Sequence, residues 1–191
     1  VGFFPSTVLA AAAPVLLILG DSLSAGFGMD REHSWVHLLD LRLKENGHSY
    51  RILNSSITGD TTQGGLARIP RLMDRYQPEI VIIELGGNDG LRGLSIKQLK
   101  NNLQQLIETS LKRQTRVILA GMKIPPNYGK RYTEAFSRVY TELATQYKIE
   151  LIPFLLEGIG DNPSLMQADG IHPNAKAQPM IVDIVWKKLA P

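Results

Sequence analysis

The chain is predicted to fold as an α/β protein, with a parallel five-stranded sheet sandwiched between helices. Two observations predict it. Short apolar, β-rich runs recur at residues 15–19, 50–54, 80–85, 116–120 and 150–154, with segments of helical period between and after them. The third run opens Ile80-Val81-Ile82-Ile83 without alternation, as expected of a strand buried on both faces.

The elements follow in order. After the first run, Trp35, Leu38 and Leu39 suggest a helix, and after the second, Leu66, Ile69, Leu72 and Met73 suggest another. Between the third and fourth runs, Ile96, Leu99, Leu103, Leu106, Ile107 and Leu111 form one apolar stripe at helical spacing. Phe136, Val139, Tyr140, Leu143 and Tyr147 repeat that pattern before the fifth run. Met180, Ile181, Ile184, Val185 and Leu189 mark a closing helix. No Pro/Gly/Ser-rich linker divides these elements, so residues 14–191 are expected to form one domain.

With 191 residues, 43% hydrophobic and 20% charged, the chain has the usual globular mixture, and its composition does not point to disorder. Its net charge of +3 is small and scattered, which argues against a nucleic-acid partner. The absence of cysteine excludes a thiol nucleophile, a thiolate metal site and a disulfide framework. Residues 1–13 are uncharged and end in Ala10-Ala11-Ala12-Ala13, like the tail of a secretory signal with its small-residue cleavage site. A periplasmic or secreted location is therefore expected, with a disordered leader as the alternative. No other stretch approaches the roughly 18 continuous apolar residues of a membrane span, so no stable membrane insertion is expected.

In parallel sheets ligands bind beyond the carboxyl ends of the strands. There the chain carries Gly20-Asp21-Ser22-Leu23, then Thr58-Gly59-Asp60, then Gly86-Gly87-Asn88-Asp89, and finally Asp169-Gly170-Ile171-His172. Acyl transfer needs a nucleophile, a base, an orienting acid and donors for an oxyanion, and all four types are present. Each part also has a plainer reading. Gly-Asp-Ser is often a turn and helix cap, Gly-Gly-Asn-Asp a turn, and Gly59 a residue at positive φ. The combination is far more specific than its members.

These four blocks, in this order, resemble the GDSL, glycine, GxND and DxxH blocks of the GDSL/SGNH hydrolase family. Stretches 17–26, 84–93, 126–136 and 169–179 look most like its bacterial thioesterase I/lysophospholipase L1 (arylesterase) branch. The resemblance implies a three-layer α/β/α, flavodoxin-like fold. It also implies a catalytic triad of Ser22, Asp169 and His172, and an oxyanion hole of the Ser22 and Gly59 N–H groups with the Asn88 amide. It further implies a mobile loop over residues 90–95. The chemistry is consistent with those roles: a buried carboxylate beside an imidazole favours the imidazolium, and a neutral amide donates without titrating. Ser22 lies outside any Gly-x-Ser-x-Gly elbow, which disfavours the α/β-hydrolase fold.

Other residues invite misreading. His33 and His37 are four apart, but no third ligand lies near them, so no metal and no cofactor are expected. Asp30-Arg31-Glu32-His33 copies the Asp-x-x-His spacing, but sits in a charged run before a helix. Arg68, Arg71 and Arg75 read as a solvated helix face. Leu91 and Leu94 after the third strand, with Ile124, Pro125 and Tyr128 after the fourth, are expected to wall an apolar groove for an acyl chain. The expected activity is hydrolysis of small-molecule acyl esters or thioesters by a monomer. A carbohydrate O-deacetylase and a nonenzymatic flavodoxin-like binding module are the alternatives.

Overall fold

The computed structural model describes residues 12–189. The expected leader, except for Ala12 and Ala13, lies outside them. In chain order the elements are β1 (Val15–Gly20), α1 (Ser22–Ala25), α2 (Trp35–Glu45), β2 (Arg51–Asn54), α3 (Thr62–Tyr76), β3 (Ile80–Glu84), α4 (Gly87–Leu91), α5 (Ile96–Leu111), β4 (Arg116–Ala120), α6 (Lys130–Tyr147), β5 (Glu150–Ile152) and α7 (Gln178–Leu189). The five strands form one parallel sheet in the order β2-β1-β3-β4-β5, as the apolar runs predict. Ile18 of β1 pairs with Ile82 of β3, and Ile82 with Ile118 of β4. Every residue of β1 and β3 is buried, whereas the edge strand β2 is half-exposed. That gradient explains why the central strands read as unbroken apolar runs.

Helices α3, α5 and α6 pack side by side over one face of the sheet, and α2 pairs with α7 over the other. The stripe of α5 turns Leu99, Leu103, Leu106 and Ile107 into the core, each contributing about 2 kcal/mol by leaving water. Two stripe members differ from expectation: Leu111 and Met180 lie at the surface. Trp35 is fully buried, its backbone N–H bonded to Gln178 Oε1 and its indole N–H to the Leu23 carbonyl. One residue thus fastens α2 to both α7 and α1.

Two short helices stand at the strand ends. Ser22–Ala25 follows the cap that Gly-Asp-Ser suggests, whereas Gly87–Leu91 reads only as a turn, because glycine, asparagine and aspartate are poor helix formers. Side-chain bonds hold them: Asp21 caps the first, and buried Asp89 in the second accepts from the Thr62 N–H and hydroxyl. From β1 the chain passes outward to β2, and then returns across the sheet to β3. The crevice between the carboxyl ends of β1 and β3 is therefore the topological switch point where such sheets bind ligands. Ser22 and Asn88 stand at its two sides.

Candidate active site

Ser22 follows β1 after one residue and opens α1, with its side chain largely buried. Its hydroxyl lies 2.9 Å from His172 Nε2, across 150 residues of sequence. On the far side of the ring, His172 Nδ1 lies 2.7 Å from Asp169 Oδ2. The other oxygen, Asp169 Oδ1, accepts the N–H groups of Ile171 and His172 at 2.9 and 3.0 Å. A single tight turn therefore orients both members of the pair. A carboxylate on Nδ1 leaves Nε2 free to accept from the serine.

The environment of Asp169 differs from the expectation of a buried acid. Its side chain is 38% exposed, against 17% for His172. What stabilises its charge is direct hydrogen bonding. The backbone N–H of His172, then the imidazole, then the Ile171 N–H lower the Asp169 carboxyl to about 2. On its outer face, the His172 ring rests against the half-exposed ring of Phe27, with centroids 4.5 Å apart. Gln167 Nε2 ties the two loops by donating to the carbonyls of Phe27 and Pro173.

Gly59 holds a φ of +79°, in the left-handed region that glycine adopts without strain. Among the described residues, neither the Gly59 N–H nor the Ser22 N–H has a hydrogen-bond acceptor. The Gly59 carbonyl accepts from exposed Arg92, and the adjoining Asp60 is held by Arg68. Arg68 corrects an expectation: only Arg71 and Arg75 of the three are solvated. The Arg68 guanidinium is half-buried, donates to the Ser55 carbonyl and hydroxyl, and forms an ion pair with Asp60.

Asn88 Nδ2 donates to Asp21 Oδ2 at 3.1 Å and to the Asp60 carbonyl at 2.9 Å. Both neighbours are acceptors, which fixes the nitrogen end of the amide toward them. The strand-to-helix turn before it depends on Gly86, at φ +114°, because a Cβ there would collide with the Tyr140 hydroxyl. That hydroxyl is buried and donates to the Leu85 carbonyl.

The anticipated groove residues divide. Leu91 and Leu94 are half-buried, while Pro125 and Tyr128 are exposed. Ile124 belongs to the core and packs beside Gly90. Tyr128 and Tyr132 donate to the carbonyls of Leu91 and Leu94, each at 2.7 Å, pinning the loop that follows α4. The second Asp-x-x-His stays apart: Asp30 and His33 are exposed, linked by a backbone bond in a 3-10 turn. Glu84, Phe27 and Gln167 join the site without having been expected there. Of these, Glu84 alone carries a signal in the sequence, as an acid closing an otherwise apolar strand.

Fold and site together define an acyl hydrolase built on a three-layer α/β/α sandwich. The chain belongs to the GDSL-like Lipase/Acylhydrolase family, whose sequence profile matches residues 18–178. It is 51% identical to Esterase TesA of Pseudomonas aeruginosa over 181 residues, covering 95% of this chain and 90% of that protein. It is 45% identical to Thioesterase 1/protease 1/lysophospholipase L1 of Escherichia coli K12 over 185 residues, covering 97% and 88%. Among solved structures, the psychrotrophic esterase EstA from Pseudoalteromonas sp., inhibited by monoethylphosphonate, superposes with a TM-score of 0.88. It is 39% identical, and the match covers 92% of this chain and 96% of that one.

Proposed function

We propose that this protein is a serine esterase and thioesterase that works through an acyl-Ser22 intermediate. The observation that carries it is the unbroken relay from Ser22 Oγ through His172 to Asp169, at 2.9 and 2.7 Å. Ser22 Oγ attacks the acyl carbon while His172 Nε2 takes its proton, and Asp169 stabilises the imidazolium that results. The oxyanion is received by the Ser22 and Gly59 N–H groups, which lack acceptors among the described residues, and by Asn88. Asn88 shares with the oxyanion the hydrogen it gives to Asp21, in a three-centre arrangement. His172 then protonates the departing alcohol or thiol, and water repeats the cycle with His172 as base.

Leu91, Leu94, Pro125 and Tyr128 form the apolar side of the substrate site, with Ile124 as packing beneath them. Each acyl methylene buried there contributes up to about 0.8 kcal/mol, so medium and long chains outrun acetyl in kcat/KM. The protein acts as a monomer in the bacterial periplasm or after secretion, in keeping with the leader-like residues 1–13 and with bacterial relatives. Among the described residues no helix is long and apolar enough to cross a membrane. The test is labelling by a fluorophosphonate, followed by peptide mapping. Stoichiometric label on Ser22, with loss of turnover and none in Ser22→Ala, is expected. Label elsewhere, or an active Ser22→Ala, overturns the reading.

A further inference from the structure

Behind the serine lies an acid that the relay does not use. Glu84 closes β3 and is wholly buried. Its Oε2 accepts from the Ser24 hydroxyl at 2.5 Å and from the Asp21 N–H at 3.3 Å. Its Oε1 is also buried, and no N–H or O–H of the described residues reaches it. The seat is closely fitted, since a Cβ on Gly20 would strike both Glu84 and Ser24. Asp21, whose N–H that carboxyl accepts, carries a second carboxyl only 3% exposed, so two buried acids share this part of the interior.

Two ionised carboxylates side by side in a dry site repel each other and forfeit their hydration. A protonated Glu84 removes both difficulties. Its orphaned oxygen becomes a donor, and the Asp21 carboxylate is the acceptor beside it. Asp21 then acts on both halves of the site. Its Oδ1 accepts the Leu23 N–H at the start of α1, and its Oδ2 accepts from Asn88.

We propose that Glu84 is a positioning residue: one proton, shared between its carboxyl and that of Asp21, locks the Asp21 carboxylate onto Asn88 and the first turn of α1. The proposal rests on the roles given above to Ser22 and Asn88. The electrostatics agree with it. Burial, reinforced by Asp21, pushes Glu84 well above the ordinary carboxyl range. Burial also lifts Asp21 to about 6, against the opposing Leu23 N–H. The other titratable groups facing the pair are His172 from the Asp169 turn, Asp89 from α4 and Tyr140 from α6. Asp89 is occupied by Thr62 and Tyr140 by the Leu85 carbonyl, so neither takes the place of the shared proton.

The experiment compares the parent with Glu84→Gln and Glu84→Leu, with Ser22→Ala alongside. Glutamine reproduces every bond: its oxygen accepts from Ser24 and Asp21, and its amide donates to the Asp21 carboxylate. Glu84→Gln should keep kcat within about threefold of the parent, whereas Glu84→Leu should lose about 10- to 100-fold in kcat with little change in KM, because Asn88 drifts. At pH 8 the parent should show the infrared C=O band of a protonated carboxyl, absent from Glu84→Gln and retained in Asp169→Asn. A parent without that band overturns the proposal. So does a Glu84→Gln chain as impaired as Glu84→Leu, or one that does not fold. Should Glu84→Leu fail to fold, the band and the glutamine variant decide alone. An active Ser22→Ala would instead break the reading of the site, and the infrared result would still decide where the proton lies.

Discussion

Two sets of acidic partners flank Ser22, and they solve opposite problems. On the outer side, Asp169 is more than a third exposed, and two backbone N–H groups and an imidazole hold it ionised. On the inner side, Asp21 and Glu84 are removed from water, and burial drives both toward the neutral form. The same functional group is thus favoured as a charge in one place and, as proposed above, as a proton holder in the other. Hydrogen-bond donors within three residues suffice for the first; only a packed interior produces the second. Under the roles proposed above, the open acid orients the base, and the dry acids orient the donors that would receive the oxyanion.

The largest effect expected from this contrast is at the ring that the outer acid holds. His172→Ala should lower kcat by about four orders of magnitude or more, leaving the oxyanion donors to supply the residual activity. His33→Ala, at the exposed copy of the motif, should stay at parental rates in the same assay. A dead His33→Ala beside a folded, active His172→Ala would dismantle the outer half of the comparison.

Next come the two carboxylate-linked groups, one from each side. Asn88→Ala removes a donor the Asp21 carboxylate positions, and should cost about 100-fold or more in kcat with KM nearly constant. Asp169→Asn should cost about 100- to 1,000-fold, less than the roughly ten-thousandfold seen where a triad aspartate is buried. Water reaches Asp169 and partly replaces its charge. A larger loss for Asp169→Asn than for His172→Ala would show that exposure does not soften the role of this acid.

The smallest effects are on stability, and they run in opposite directions with pH. Glu84 has a raised folded value, so its contribution is full below the ordinary carboxyl range and fades as pH rises. The melting temperature of Glu84→Gln relative to the parent should therefore climb steadily as pH rises from 5 to 8. Asp169 has a lowered folded value, so its contribution is present at neutral pH and is lost as pH falls from about 4 toward 2. Its exposure limits the Asp169→Asn difference at pH 7 to about 1 °C. Equal slopes for the two variants in a calorimetric pH series would erase the distinction between the sites.

Much of this is legible in the residues themselves. The run Ile80-Val81-Ile82-Ile83 had to be a strand covered on both sides, because no other placement suits four consecutive β-branched residues that must all leave water. Asp169 and His172 lie three apart, so one local turn brings carboxylate and imidazole together, whatever surrounds them. Strand ends marked by glycine, asparagine and serine located the rim of the site. Those features are local, and short-range geometry decides them. The tertiary structure decided the rest. It made a helix of Gly87–Leu91 against its propensity, drew Arg68 inward to Ser55 and Asp60, and left Asp169 open to water. It also gave Asp21 and Glu84, 63 residues apart, a common dry pocket. Whether a carboxyl keeps its proton depends on the water it loses and the charges it meets, and both are properties of the packed chain rather than of any stretch of it.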